Sequence, residues 1–439
     1  MSAYVVVFLI ALAAVATVFL LIFGSAILNG YAKGRMERTF AKAHPGFVMR
    51  IGHLEYAMGT DEAVAQVVTV SGTNEMFKAE RISLRGVHWA ALVWGKAVLA
   101  EVLDKASLEA TNLEVEFPKS GYEAHCARLR ANVSDSELIA EGTELRTMLG
   151  DNEFFAAHEF RSTRFQVVVP ECRVSGMAYN DLFAGTSYRA RSMNFFGPTF
   201  DALVDSYKPL GPFVKSPLMV HEALAAILKP LQIDSLSITN GSIRFSEQVL
   251  AGSNAGVLTF TAVSLSAQGI ANRGGSPDAI TLQGQGNLMD AGTLKLLMTI
   301  PIMPANFSLH YSGSLGPMNL TNLNAFLEVD ARTRIKSGAV KKADFEIDVT
   351  AGKARGRVRG SYQNLEIAFL NKKSGSPNGM QDRVTSFLAN MLKIRSSNAA
   401  ELPKLPKEGE VNYAKKPNEE FQQFLWFALR TGVLDIISH

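Results

Sequence analysis

Cysteine is nearly missing from this chain: Cys126 and Cys172 are the only two in 439 residues. Two thiols cannot frame a disulfide-built miniature fold or a four-thiolate zinc site. They allow one bridge in an oxidising compartment, or two buried thiols. The eight histidines are scattered, with none paired at i, i+3 or i+4, so no sequence-local metal-binding pair exists. The phosphate-loop pattern G-x-x-x-x-G-K-[ST] is absent, as are H-E-x-x-H, C-x-x-C and G-x-S-x-G. The nearest thing to a dinucleotide fingerprint is "GQG" at Gly284–Gly286, which lies in a strand-like run without the third glycine or the helix that the fingerprint needs. Charge is also sparse, 19% of residues with a net +3 spread along the chain, and gives no basic stripe for nucleic acid. Glu114 and Glu116 share a strand face, where a solvated outer surface explains them better than acid/base work, and His88 and His310 read as ordinary strand residues. Neither a cofactor nor a catalytic residue is expected.

What the chain has in excess is apolar sequence, 47% of residues. "YVVVFLIALAAVATVFLLIF", Tyr4 to Phe23, is long enough as a helix to cross about 30 Å of hydrocarbon. It exceeds the usual apolar core of a cleaved signal peptide and has no Lys or Arg before it, so it reads as an uncleaved transmembrane anchor. Lys33, Arg35, Arg38 and Lys42 follow it, and the positive-inside rule would put them in the cytoplasm.

After the anchor, alternating and β-branched runs closed by Gly, Asn or Pro predict strands from about residue 47 to 370. Helical spacing is confined to short stretches: two candidates within Phe200–Leu228, one in "MNLTNLNAFLEV", one over Asp382–Lys393 and a last one over Asn418–Ile437. Residues 396–417 read as a polar, proline-containing loop. The expected division is an anchor (1–30), a β-rich part with a helical insert near 200–228 (31–230), a second β-sheet (231–372), and a tail of helix, loop and aromatic helix (373–439).

One strand occurs twice. "SLEATNLEVEF" (Ser107–Phe117) aligns without a gap on "SLSITNGSIRF" (Ser235–Phe245). Asn240-Gly241 alone would suggest a type I′ hairpin, but its counterpart Asn112-Leu113 has a residue poorly suited to such a turn. Both copies therefore read as extended strands, bulged at Asn112 and Asn240. Strands with one apolar and one polar face, and few helices to cover them, leave three architectures: a two-sheet sandwich, a sheet curled on itself, or a groove whose apolar face meets something other than protein.

The run from Tyr311 to Lys372 resembles the C-terminal part of AsmA-like envelope proteins, including their domain-of-unknown-function members. It carries in order a G-x-[LM]-x-L-x-x-L-N element (Gly316–Asn324), an I-x-S-G strand (Ile335–Gly338), an F-x-[IV] strand (Phe345–Ile347) and a strand at Gly356–Leu365. The likeness covers residues 230–437 best. It implies a mainly β fold: an inner-membrane helix followed by an elongated, curled antiparallel sheet in the periplasm, with a few short helices and a C-terminal amphipathic helix. It also implies a role in lipid transport and outer-membrane biogenesis. On that expectation phospholipid or lipopolysaccharide acyl chains lie against Leu236, Ile238, Ile243, Phe245, Leu258, Phe260 and Ala262. The rival expectation is a structural or adaptor protein of the envelope whose last helix binds a partner through Phe421, Phe424, Leu425, Trp426 and Phe427.

Overall fold

The computed structural model describes residues 31–43, 45–57, 62–87, 102–211, 218–250, 252–273, 278–302, 306–370, 394–399, 406–417 and 419–438. The expected anchor at 4–23 and the helix expected at 382–393 lie outside these residues. Among the described residues no helix is long and apolar enough to cross a membrane.

The chain is mainly β, one mixed sheet of 18 strands with a few short helices and a C-terminal helix. It divides into two units. The first runs to Gly150 and adds Gln166–Pro198 and Ile227–Ser237; the second comprises Asp151–Phe165, Thr199–Ala226 and Ile238–His439.

In the first unit, helix α1 (Tyr31–Ala43) precedes an antiparallel meander: β1 (Val48–Ala57), β2 (Glu62–Ser71), β3 (Met76–Arg85), β4 (Ser107–Phe117), β5 (Tyr122–Asn132) and β6 (Glu137–Thr147). It continues into β7 (Thr163–Ser175) and β8 (Tyr188–Phe196), with α3 (Tyr179–Ala184) between them. Helix α1 takes up backbone groups of β1. Glu37 Oε1 accepts from the Ile51 N–H at 2.9 Å, and Lys33 donates to the Gly52 carbonyl at 3.2 Å. Outward residues pair across strands, as in Arg130–Glu141 and Arg146–Glu123, both 2.7 Å.

A single row organises this meander. In β1 to β7 the inward positions run at spacing two, skip to spacing three once, and resume: Ile51 then Leu54, Ala65 then Val68, Ala79 then Ile82, Ala110 then Leu113, Cys126 then Leu129, Ala140 then Thr143, Val169 then Cys172. The skipped positions face one another as Gly52, Val67, Glu80, Asn112, Ala127, Gly142 and Pro170, and the pairing register is the same on both sides of them. Every strand holds the extra residue, so none shifts against its neighbour. Alternate strands enter the left-handed region there: Val67 at φ 51°, Asn112 at 48°, Gly142 at 61°, and Gly197, after β8, at 61°. Asn and Gly tolerate that region best; a β-branched Val at φ 51° is strained. Pro170, lacking an N–H, is accommodated in mid-strand because no ladder pairing is made at its row.

Both copies of the echo are strand as expected, with Asn112 at φ 48°, Asn240 at 54° and no positive φ at Gly241; at Asn112 the extra residue is matched on both neighbours, so the register does not shift as it would at a bulge. The bridge between Cys126 and Cys172 is not made. Both thiols are free and buried on β5 and β7, with β6 between; two strand spacings, about 9.6 Å, separate them sideways and three residues separate their rows, which puts them beyond disulfide reach. Burial pushes the Cys172 thiol up to about 12 and that of Cys126 upward as well.

In the second unit, α2 (Asp151–Ala156) and β9 (Thr199–Asp205) are joined by Arg164. Its guanidinium grips Asp151 at 2.9 and 3.1 Å and Asp201 at 2.7 Å. Thr199–Asp205 is thus a strand, where a helical insert was expected; among the described residues of that insert the helix is α4 (Val220–Ala225). Strand β9 pairs parallel with the second half of β10 (Leu231–Gln248), which makes the sheet mixed instead of wholly antiparallel. Then follow, antiparallel, β11 (Gly256–Ala271), β12 (Ala279–Leu288), β13 (Gly292–Pro301), β14 (Leu309–Leu315), β16 (Thr333–Thr350), β17 (Lys353–Phe369) and β18 (Glu408–Ala414). The short β15 (Met318–Asn319), a 3₁₀ turn (Leu320–Leu323) and α5 (Asn324–Asp330) lie between β14 and β16. Strand β18 falls where a loop was expected. Its alternation, Gly409, Val411 and Tyr413 inward between Glu408, Glu410 and Asn412, is short and flanked by prolines in the sequence. The last helix, α6 (Phe421–Ile437), lies along β17 and β18.

Candidate functional site

The inner face of the second unit can be followed from strand to strand by register. One row reads Leu265, Gly284, Leu296, Gly313, Phe345, Val358, Gly409, and the next Ala267, Leu282, Met298, Tyr311, Ile347, Gly356, Val411. At the β14–β18 end this face is closed by α6. Phe424, Ala428, Gly432 and Ile436, four apart, are all buried against it. A Cβ on Gly409 would stand 1.9 Å from the Gly432 carbonyl, so strand and helix backbones meet where both residues lack side chains. Tyr311 donates its hydroxyl to the Leu425 carbonyl at 3.2 Å, and burial raises that phenol's pKa.

At the β11–β13 end the same face is covered less. Leu258, Phe260, Val263 and Leu265 on β11, Leu282 and Leu288 on β12, and Leu294 and Leu296 on β13 are only half-buried. The reverse face of β12 and β13 carries Thr281, Gln283, Gln285, Asn287, Thr293, Lys295 and Thr299, the polar half of the alternation, with Leu297 an exposed leucine among them. The glycines of "GQG" belong to the inner face. A Cβ at Gly284 would meet nothing nearer than 3.6 Å, which leaves a shallow trough between Leu265 and Leu296.

Of the residues expected to meet a ligand, Leu258 and Phe260 lie on this face. Ala262 does not: it is exposed at φ 48°, and Val263 takes the inward place. The cause is the same skip that marks β4. Strand β12 has no extra residue, so the β11–β12 register must shift between Thr261 and Ser264. Ile238 and Phe245 on β10 are half-buried in the second unit, and Ile243 is 36% exposed. Leu236, at the start of β10, is half-buried and belongs to the first unit. Sequence reasoning missed Val263, Leu265, Leu282, Leu294 and Leu296, although "TLKLLMTI" displayed the alternation that places the last two.

The residues expected to dock a partner are mostly core. Phe424 and Phe427 are buried and Phe421 and Leu425 half-buried, with Phe307 stacking edge-on at 5.3 Å from Phe424; only Trp426 is exposed, at 47%. Glu116 is held by Lys78 at 2.5 Å, and His310 contacts Asp348 at 2.8 Å, both on outer faces.

The motif residues behind the envelope-protein resemblance turn out to set backbone geometry. Asn324 clamps Ile335 like a short strand, accepting from its N–H and donating to its carbonyl, each at 2.8 Å. Gly338, at φ 142°, occupies a conformation closed to other residues, and a Cβ there would lie 3.2 Å from Leu365 Cα. Ser337 donates to the Asn364 carbonyl at 2.7 Å, and Asn364 is itself left-handed at φ 56°. No family model matches the chain, and no curated protein matches it.

Proposed function

We propose that this chain is an inner-membrane-anchored, periplasmic, AsmA-like protein that holds lipid acyl chains against a curled β-sheet groove and supports lipid transport and outer-membrane biogenesis. One observation carries the reading: the inner face that α6 closes over β14–β18 continues over β11–β13 as a band of half-buried leucine, valine and phenylalanine. Burying such a band is worth about 25 cal/mol per Å² of apolar area, and an acyl chain supplies that area without asking for hydrogen bonds. The proposal needs no catalytic group. The apolar run at 4–23 would hold the chain at the membrane from which the lipid comes. With no bridge between Cys126 and Cys172, orientation rests on the family resemblance alone, against the basic residues that follow the run. The adaptor reading narrows to the outer side of α6, where Trp426 and Val433 are exposed.

The full-length chain, purified in detergent and extracted for mass spectrometry, should carry phospholipid or lipopolysaccharide. Phe260→Asp and Gly284→Trp, which charge and fill the band, should each cut the bound lipid at least about tenfold, a loss of about 1.4 kcal/mol in affinity. Leu297→Asp, on the reverse face, should not. Lipid-free wild-type protein, or equal lipid in all four proteins, would sink the groove; a reporter after His439 active only in the cytoplasm would sink the location.

A further inference from the structure

Two carboxylic acids meet in the second unit where water hardly reaches. Asp330, the last residue of α5, is 8% exposed, and Glu247, near the end of β10, is 3% exposed. Phe245 and Phe326, two and four residues before them on the same strand and helix, have ring centres 6.1 Å apart, and this brings the two acids close enough for Glu247 to oppose the charge on Asp330. The Asp330 Oδ1 atom is buried without a hydrogen-bond partner.

The surroundings only partly offset this. Ser206, in the turn after β9, donates its hydroxyl to Glu247. The same turn carries Asp205 and Lys208, 3.5 Å apart. Asp205 also accepts from the Ser162 N–H at 2.5 Å, and Lys208 donates to the carbonyls of Phe155 and His158, so both are engaged. From α6, Arg430 favours the charged form of Asp330 while its guanidinium lies 4.9 Å from the Phe427 ring centre. Arg334 at the start of β16 is held by Glu328 at 2.7 Å, and β11 packs against α5 at Gly256, beneath Phe326 and Val329. Burial first, and the Glu247 charge second, push the Asp330 carboxyl well above the ordinary range.

What the pair holds is a seven-residue helix, too short to persist on its own. Its other ties are Phe326 against Phe245, ring centres 6.1 Å apart, and the close seat on Gly256, where a Cβ would come within 3.0 Å of the Phe326 carbonyl.

We propose that Asp330 and Glu247 form a proton-dependent latch that pins α5 over Phe245 and the start of β11 when the proton is shared, and releases it when both carboxylates are charged. The sign follows from linkage. A carboxyl whose proton affinity is raised in the folded state adds stability at low pH, and that stability is lost as pH rises from the unfolded value through the folded one. The latch does not depend on the lipid reading.

Hydrogen–deuterium exchange of the full-length chain in detergent, corrected for intrinsic rates between pH 5 and pH 8, tests it. Opening of the segment 320–332 should increase with pH, by at most about tenfold per unit for one proton, while the β16–β17 hairpin stays protected. Asp330→Asn gives Glu247 a permanent donor and should remove the pH dependence. Glu247→Gln should do the same from the other side, which keeps the test open if the first variant fails to fold. Protection independent of pH in the wild type, or an unchanged pH dependence in both variants, would overturn the latch. So would protection at pH 8 that returns on adding calcium, since a cation would then be the bridge.

Discussion

Strands β4 and β10 carry the same eleven-residue pattern and the same left-handed asparagine, yet use the resulting face differently. In β4 the inward residues Leu108, Ala110, Leu113 and Val115 are all buried, Leu113 to 2% exposure. Their counterparts Leu236 and Ile238 are half-buried, Gly241 offers no side chain, and Ile243 is 36% exposed. The backbone device is therefore separable from core formation: an asparagine resets which residues point inward, and the side chains then decide whether that side is sealed.

The largest effect should come from the sealed copy. Leu113→Ala should lower stability by about 2–5 kcal/mol, whereas Ile243→Ala should cost under about 1 kcal/mol, read as shifts in the urea midpoint. Equal losses would mean the two faces are equally packed, and the contrast would fail.

A smaller effect should follow from the turn residues. Asn112→Ala must hold alanine at a left-handed φ and gives up the hydrogen bond to Glu80, so a loss of about 1–2 kcal/mol is expected, with Asn112→Gly recovering most of it. Gly241→Ala, at a position without positive φ, should change stability by no more than about 1 kcal/mol in thermal unfolding. A large loss there would show that β10 needs its glycine in a way β4 does not need Leu113.

The strands with regular alternation, β12 to β14, β16 and β17, were legible because period two survives over most of their length. The skip was visible only as an echo. It changes the parity of every strand from β1 to β7, so strict alternation misassigns half of each, and the same skip in β11 misassigns Ala262. Thr199–Asp205 read as helix because its ladders come from β7 and β10, and no local pattern reports such partners. The aromatic stripe of α6 was evident, but a stripe does not say what it meets; Gly409 and Gly432 decide that, by letting the helix come down onto the sheet. The acid pair was invisible, because Glu247 and Asp330 are distant in sequence and neither belongs to a motif.

The shared extra residue also governs how such a sheet can grow. Left-handed positions fall on alternate strands, β2, β4 and β6, and then on Asn240 of β10. A duplicated hairpin taken from this series would bring one left-handed strand and one ordinary strand, already in register with any neighbour that carries the same row. Each such insertion would lengthen the sheet by about 9.6 Å without a new bulge. The boundary with β12, where the row ends and the register must shift, is where a graft would fail. Length in this architecture is thus adjustable in steps of two strands on one side of β11 and fixed on the other.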